Sequence, residues 1–166
     1  NAYAAWCLAE LGDFREALAR GEQARRISET VDFLYSRGSA YGFLGFAYLR
    51  RGQLEPATDL LEQCLAFSRT ADLPVLLVQM AARLGYAYVL AGRVTEAIAV
   101  LEEGRDLGDS SRNMVWVTPT HAHLAEAYAL AGRYDDALGT GHHAIELAQQ
   151  YKERSYEAWA RYLLGN

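Results

Sequence analysis

The sequence predicts an all-α fold in which antiparallel helix pairs stack into an α-solenoid. One residue pattern recurs at a fixed interval of 40 positions. Each copy contains two amphipathic runs separated by a glycine, and these glycines keep their spacing without an insertion, at Gly12, Gly52, Gly92 and Gly132. A single helix pair cannot bury its apolar face alone, whereas stacked pairs bury a continuous core. The regular repeat therefore favours a solenoid.

The clearest copy of the pattern begins at Leu84. Leu84 and Tyr88 are four residues apart and share one helical face, while Gly85 leaves room for a second helix to approach. Gly92 is predicted to end the first helix, because glycine adopts the left-handed conformation that closes the last carbonyls. The second amphipathic run follows at once, with apolar residues at Val94, Ala97, Ile98 and Leu101.

This pattern resembles the tetratricopeptide repeat (TPR) family. The matching residues of the two best copies are Leu44, Gly45, Tyr48, Gly52 and Ala57, then Leu84, Gly85, Tyr88, Gly92 and Ala97. The fourth copy has Ala125 in place of the signature glycine, and the first departs further, with Ala5 and Leu8. The resemblance implies a right-handed superhelix. The usual TPR period is 34 residues, so a period of 40 predicts longer helices, similar to repeats of large bacterial signalling and regulatory proteins.

Nine helices follow from the caps, turns and apolar periodicity. We expect them at about 2–11, 14–29, 32–51, 54–69, 74–91, 94–107, 118–131, 134–151 and 153–164. Asp13 and Asp72 are predicted N-caps, and Pro74 suits a first helical turn. Pro119 leaves two alternatives open for the seventh helix. Either a helix that starts near Met114 is kinked near Val115, or its start is delayed to Thr118.

The repeats divide the chain into a single TPR-like array. The predicted units are residues 1–31 as a partial repeat, 32–71, 72–111 and 112–151, followed by a terminal helix over 152–166 that covers the fourth pair. A weak fifth copy of the signature begins at Leu164-Gly165. Because the chain starts inside one helix and stops inside another, we expect it to be a fragment of a larger protein.

Composition narrows the classes of partner. The formal net charge is −5, and the longest basic runs are pairs such as Arg25-Arg26, so we expect no nucleic-acid partner. No apolar run is long enough to cross a bilayer, which predicts a soluble protein without a membrane partner. Cys7 and Cys64 fall at small-residue packing positions, and we expect both to be buried free thiols, in keeping with a cytoplasmic location.

The TPR resemblance also implies that the first helices line a concave groove. By register, the residues expected there are Trp6, Phe43, Phe46, Arg50, Gln79, Arg83, Tyr86, Leu90, His123, Glu126 and Leu130. Two interpretations remain open for the aromatic ones among them. They bind an apolar partner segment whose polar groups pair with the charged members, or they pack on one another. Tyr48, Tyr88 and Tyr128 belong to the packing signature and are expected in the core.

One function known for the family is disfavoured by this register. Similar TPR proteins grip a C-terminal carboxylate with lysine, asparagine and arginine side chains on the first helices of three repeats. Ala2, Trp6, Phe43 and Gln79 stand at four of the corresponding positions, and only Arg83 matches. We therefore do not expect a clamp of that kind.

The sequence offers no reactive centre. His121 and His123 are two residues apart and His142 and His143 are adjacent, and neither spacing is the i, i+4 arrangement of helical zinc ligands. His121 falls at a half-buried position of the signature, where packing explains it. The repeated glycines stand at helix ends or helix contacts, so none forms a phosphate-binding loop. We predict no catalytic residues, metal or cofactor, and therefore no enzyme.

The predicted function is a protein–protein or peptide interaction module that binds a partner segment in the groove. The partner is a protein or peptide, and another domain of the same chain is one of the alternatives. Two alternatives stay open. The first is a regulatory or sensor region that binds a small molecule or signalling peptide for an attached catalytic or DNA-binding domain. The second is a self-association module that forms a homo-oligomer.

Overall fold

A computed structural model describes residues 2–31, 33–110 and 116–165, and over these ranges the chain is all-α without a strand. The helices are α1 (Ala2–Glu10), α2 (Phe14–Glu29), α3 (Leu34–Arg50), α4 (Leu54–Thr70), α5 (Pro74–Leu90), α6 (Val94–Ser110), α7 (Val117–Leu130), α8 (Tyr134–Tyr151) and α9 (Arg154–Leu163). Consecutive helices pack as antiparallel pairs. The predicted fold class is confirmed.

The start of α7 agrees with the delayed alternative. The helix begins at Val117, so Pro119 lies in its first turn. There its missing N–H costs no helical hydrogen bond, because the first N–H groups of a helix have no carbonyl partner within it. The alternative start near Met114, the kink near Val115 and the predicted start of α3 at Asp32 lie outside the described residues.

One of the two predicted N-caps is confirmed and the other is wrong. Asp13 accepts a hydrogen bond from the backbone N–H of Glu16 at 3.2 Å and thereby caps α2. Asp72 does not cap α5, because that helix begins at Pro74 and Leu73 takes the capping position. Asp72 instead has a φ of 50° and belongs to the turn that ends α4, in which Leu73 N–H donates to Ser68 O at 2.9 Å.

The repeated glycines close the first helix of each pair in the same way. Gly12, Gly52, Gly92 and Gly132 have φ between 73° and 82°. At the third copy, Gly92 N–H donates to Val89 O at 3.1 Å and Arg93 N–H donates to Tyr88 O at 2.9 Å. These two bonds form a Schellman motif, which requires a left-handed residue at this point. Gly165 also has a positive φ of 73°, and it follows the end of α9.

We predict that Gly92→Ala lowers the free energy of unfolding by about 1 kcal/mol, because a Cβ is disfavoured at a left-handed φ. Gly139→Ala is the matched control. Gly139 lies inside α8, and a Cβ there would meet nothing within 4 Å. Urea unfolding should show Gly139→Ala to be stabilising by roughly 0.5–1 kcal/mol. Equal effects of the two substitutions would contradict this interpretation.

The chain forms two compact units, unit 1 over Asn1–Arg83 and unit 2 over Leu84–Asn166. In unit 1, α1 packs on α2 and α3, and α3 also packs on α2 and α4. The fully buried side chains of this unit include Phe43, Leu44, Leu61, Cys64 and Met80. Its core therefore lies between the first and second helices of consecutive pairs.

The prediction that Cys7 is buried is wrong. Its thiol is exposed, whereas Cys64 is buried as expected. Ala47, which has the same place in the next repeat, is fully buried on α3. Helix α3 packs against α1, α2 and α4, whereas α1 packs against α2 and α3. The same register position is therefore covered in one repeat and open in the other.

In unit 2, α7 packs on α6, α8 and α9, and α8 packs on α9, so the terminal helix covers the fourth pair as predicted. Tyr88 and Tyr128 are 7% and 3% exposed and belong to the core, whereas Tyr48 of unit 1 is only partly buried. The guanidinium of Arg93 lies 4.1 Å from the Tyr88 ring, and Arg133 lies 4.2 Å from the Tyr128 ring. Tyr88 and Tyr128 thus each make a cation–π contact with the arginine that follows the glycine turn of their repeat.

Over the described residues, every helix is too short or too polar to cross a lipid bilayer.

Candidate functional site

Unit 1 carries a cluster of aromatic side chains around one arginine. The Trp6 and Phe43 rings are stacked, with centroids 5.6 Å apart and planes at 7°. The Arg83 guanidinium lies 4.7 Å from the Phe46 ring centroid, 5.4 Å from Trp6 and 5.6 Å from Phe43. Three first helices supply these residues, because Trp6 lies on α1, both phenylalanines on α3 and Arg83 on α5. Four predicted groove residues are therefore brought together.

Burial differs among the members of this cluster. Phe43 has no exposed surface, and Phe46 and Arg83 are 8% and 4% exposed. Trp6 remains half-buried. Phe43 and Phe46 therefore lie beneath the surface, which is closer to the packing interpretation, and Trp6 is the one of these three rings that is not buried.

The other predicted residues of unit 1 lie at the margin of the cluster. The exposed Arg50 pairs with Glu10 at 3.5 Å, and Glu10 also accepts a hydrogen bond from the Trp6 indole Nε1 at 3.2 Å. Gln79 is 8% exposed, and its backbone carbonyl accepts from Arg83 at 3.5 Å. Glu10, which the sequence did not single out, therefore links Trp6 to Arg50.

Unit 2 carries a second cluster, which we call the His123 cluster, formed by Tyr86, His123, Glu126 and Trp159. The Tyr86 and His123 rings stack with centroids 4.4 Å apart and planes at 22°. The Trp159 ring stands edge-on to both, at 6.3 Å from Tyr86 and 6.5 Å from His123. Helices α5, α7 and α9 thus each contribute an aromatic ring to one site.

The His123 cluster contains polar atoms that lack hydrogen-bond partners. His123 Nδ1, Glu126 Oε2 and Trp159 Nε1 are all buried and unpaired. His123 Nδ1 and Glu126 Oε2 are 4.0 Å apart, which is too long for a direct hydrogen bond. Buried polar groups are normally paired, and those that are not call for a specific explanation. The fold therefore leaves the hydrogen-bonding capacity of these three atoms unused.

Burial shifts both titratable groups of the cluster toward their neutral forms. It lowers the pKa of His123 to about 4, and it raises the pKa of the Glu126 carboxyl. The two side chains remain 15% and 19% exposed, so both can still be reached from solvent. His123 is therefore neutral at pH 7. A cation placed beside Glu126 would favour its ionised form.

Trp159 is the residue of this site that the sequence analysis missed. Ala122, Ala144 and Ala160 form a fully buried cluster at the junction of α7, α8 and α9, and Trp159 packs against it. These three small residues let α9 approach closely and carry Trp159 toward His123. The sequence offered one indication of this role, because Trp159 stands next to the small residue Ala160 in the terminal helix. The groove residues were predicted from the register of the first helices, and that register does not extend to the terminal helix.

Leu90 and Leu130, also predicted for the groove, end α5 and α7 and are 47% and 59% exposed. They offer apolar surface to solvent, and neither belongs to the His123 cluster.

Two of the remaining histidines, His121 and His143, pack against each other. His121 was expected to be half-buried but is only 3% exposed, and its Nδ1 lies 3.0 Å from Val117 O. Its ring meets the His143 ring edge-on at 4.8 Å. Burial lowers the pKa of His121. Over residues 2–31, 33–110 and 116–165, no group of three or more histidine, cysteine or acidic residues is placed to hold a metal ion.

The repeated helix pairs and their glycine turns define a helical-repeat protein of the α-solenoid class. Two family models, both described as tetratricopeptide repeat, match residues 1–70 and 119–140, together more than half of the chain. The chain belongs to the tetratricopeptide repeat family. No curated protein matches the sequence.

Several solved structures share the fold. A Podospora anserina protein assigned as a kinesin light chain, with nearly identical TPR-like repeats, has a TM-score of 0.75 and 23% identity over 99% of this chain and 85% of that one. The apo form of RapI has a TM-score of 0.87 and 15% identity over 99% of this chain and 61% of that one. A Rap protein complexed with competence and sporulation factor has a TM-score of 0.64 and 17% identity, over 95% and 48%.

Proposed function

We propose that this protein is an interaction module that binds a peptide segment of a partner on the faces of its first helices. The observation that carries the proposal is the His123 cluster, in which three buried polar atoms lack partners beside the half-buried rings of Tyr86 and Trp159. Aromatic residues with a few convergent polar groups are typical of recognition sites. A reactive role has no support, because no nucleophile is positioned beside a base in the cluster.

The electrostatics of the cluster favour a basic segment. Glu126 is partly buried, and burial is the cause that raises the pKa of its carboxyl. A lysine or arginine side chain of the partner would pair with this carboxylate and lie near the edges of Tyr86 and Trp159. The net charge of −5 acts in the same direction by attracting cationic segments.

The similarity to Rap proteins supports a regulatory version of this proposal. One of these structures is a complex with competence and sporulation factor. In the same way, the chain would bind a signalling factor and pass the change to an attached domain. A segment of a partner protein and a signalling peptide would make the same contacts with this surface. One binding experiment therefore tests both versions of the proposal.

We predict that Glu126→Gln weakens binding of selected peptides at least tenfold, because it removes the charge that pairs with the basic side chain. Peptides would be selected from a random displayed library on the immobilised chain and measured by fluorescence anisotropy. Glu146→Gln is the isosteric control, since the Glu146 side chain is 77% exposed on α8. Its binding should stay within twofold of the wild type.

Two results would contradict the proposal. The first is a selection that enriches no peptide, or enriches peptides without lysine or arginine. The second is equal loss of affinity in Glu126→Gln and Glu146→Gln, which would indicate long-range attraction by net charge and not a specific site. Light scattering over a range of concentrations separately tests the self-association alternative, which requires a mass that rises with concentration.

A further inference from the structure

We propose that the partner segment carries an aliphatic side chain two residues from its basic residue, and that this side chain packs on Leu90 and Leu130. Leu90 ends α5 and Leu130 ends α7, and the two side chains are 47% and 59% exposed. The inference rests on the proposed function, because the basic residue is the one that pairs with Glu126. It adds the chemical class of a second residue of the segment and the surface that recognises it.

The place that these leucines occupy is exposed in every copy of the repeat. Glu10, Arg50, Leu90 and Leu130 are spaced by 40 residues, and all four are exposed. Arg50 and Leu90 lie on α3 and α5, which have a complete helix pair before and after them in the chain. Exposure is therefore a property of this position within the repeat.

Two copies fill this place with an ion pair. Arg50 Nη2 lies 3.5 Å from Glu10 Oε2, so residues at this position on successive first helices face each other in unit 1. Both side chains are about half exposed, at 48% each, which suits charged groups. The other two copies carry leucine at the same place, where an aliphatic side chain remains in contact with water.

In unit 2 the two leucines belong to neighbouring helices. The rings of Tyr86 and His123 stack with centroids 4.4 Å apart, so the second half of α5 lies beside α7. A single exposed leucine is common on protein surfaces, whereas apolar residues at equivalent places of neighbouring helices form a patch, and such patches mark interaction sites. The leucine pair therefore extends the binding surface beyond the His123 cluster.

One carboxylate stands on these otherwise uncharged helices. From Leu84 onward α5 has no charged residue, and Glu126 is the only acidic or basic residue of α7 other than histidine. Glu126 and Leu130 are four residues apart and share one face of α7. Aliphatic side chains beside a single negative charge complement a segment that combines one basic residue with an aliphatic one.

The separation of Glu126 and Leu130 sets the spacing within the segment. Residues four apart on a helix are about 6 Å apart along its axis. In an extended chain, residues two apart point to the same side and are about 6.6 Å apart. Glu126 is only 19% exposed, so the backbone of the segment has to run close to the surface. An extended chain does this more readily than a helix, whose diameter is about 10–12 Å.

The test uses the whole chain and two tripeptides that differ in order, acetyl-Lys-Ala-Leu-amide and acetyl-Leu-Ala-Lys-amide. One of them should shift the amide signals of Leu90, Glu126 and Leu130 in ¹H–¹⁵N correlation spectra and saturate at millimolar concentrations. Asparagine has nearly the shape of leucine but a polar end, so replacing the leucine of this peptide by asparagine should weaken binding at least fivefold. Equal binding of the leucine and asparagine peptides, or no saturable shift with either order, would overturn the inference.

Variants of the chain locate the contact made by the leucine of the peptide. In Leu90→Asn and in Leu130→Asn the preference for the leucine peptide should fall at least twofold, and both proteins should fold because both positions are exposed. Val75→Asn is the matched control, since Val75 is 56% exposed at the opposite end of α5. Its preference should equal that of the wild type. An undiminished preference in both leucine variants, or an equal loss in Val75→Asn, would contradict the inference.

The same titrations separate this inference from the proposed function. Tenfold weaker binding to Glu126→Gln, together with equal binding of the leucine and asparagine peptides to the wild type, would leave the basic contact in place and exclude the aliphatic one. A retained leucine preference with unchanged binding to Glu126→Gln would have the opposite meaning. It would support the contact with Leu90 and Leu130 and contradict the pairing of a basic residue with Glu126.

Discussion

Replacing Gly85 by alanine should lower the free energy of unfolding by about 1–3 kcal/mol, because the new methyl group overlaps a fully buried leucine. A Cβ at this position would lie 2.7 Å from Leu101 Cδ1 and closer still to Cγ and Cδ2. Leu101 has no exposed surface, so its side chain cannot move aside without disturbing the contact between α5 and α6. Urea unfolding measures the loss as a lower midpoint at unchanged slope.

A double-mutant cycle identifies the cause of this loss. Leu101→Ala alone should cost roughly 2–5 kcal/mol through the cavity that it leaves. In the double variant the added methyl group occupies part of that cavity, so the combined loss should be at least about 1 kcal/mol smaller than the sum of the two. Additive losses would show that Gly85 is required for a reason other than its contact with Leu101.

Another repeat of this chain carries two small residues at the positions that correspond to Gly85 and Leu101. Position 125 is the fourth-copy equivalent of Gly85 and carries alanine, and position 141, the equivalent of Leu101, carries glycine. Ala125 is 2% exposed and therefore fits within the same kind of helix contact. The first copy shows the same exchange, with Ala5 and Gly21. The departures from the TPR signature in these two copies are thus matched by a smaller residue on the facing helix.

The His123→Phe variant should become more stable than the wild type as the pH falls, by up to about 3 kcal/mol near pH 4. Burial lowers the pKa of His123 from 6.5 in an open chain to about 4 in the folded protein. Between these values the unfolded state binds a proton that the folded state does not, so acidification favours unfolding. Phenylalanine keeps a ring that can stack on Tyr86 and has no proton to bind.

Urea unfolding of both proteins between pH 7.5 and 4.5 measures this difference. Glu126 acts in the opposite direction, because the raised pKa of its carboxyl lets the folded state take up a proton first. Since both proteins retain Glu126, its contribution largely cancels in their difference. His142→Phe, at an exposed position of α8, is the control for replacing a histidine by phenylalanine. A difference between His123→Phe and the wild type that does not vary with pH would show that His123 is hydrated in the folded protein.

Local signals explain why the helices could be predicted so closely. The bounds of α2 and α8 are those expected, and the other described helix ends differ by up to three residues. Periodicity, the Asp13 cap and the glycine turns act over a few residues and are visible in the sequence. Asp72 was misassigned because aspartate suits both an N-cap and a left-handed turn, and only the start of α5 distinguishes the two.

The candidate site could be predicted only in part. The register identified Tyr86, His123 and Glu126 as neighbours of one surface, and the structure places the first two in a ring stack. Their hydrogen-bonding state could not be predicted, because it depends on which atoms lie within about 3 Å of each polar group. Trp159 was missed because the terminal helix follows no signature of its own, and its position depends on packing against α7 and α8.

The sequence by itself determined the helix pairs, their glycine turns and membership in a family of interaction modules, because these follow from short-range patterns repeated every 40 residues. Only the tertiary structure decided which equivalent positions are covered. Cys7 is exposed where Ala47 is buried. The physical reason is that burial is a property of the neighbouring helix and the size of its side chains, which differ from one copy to the next even when the register does not.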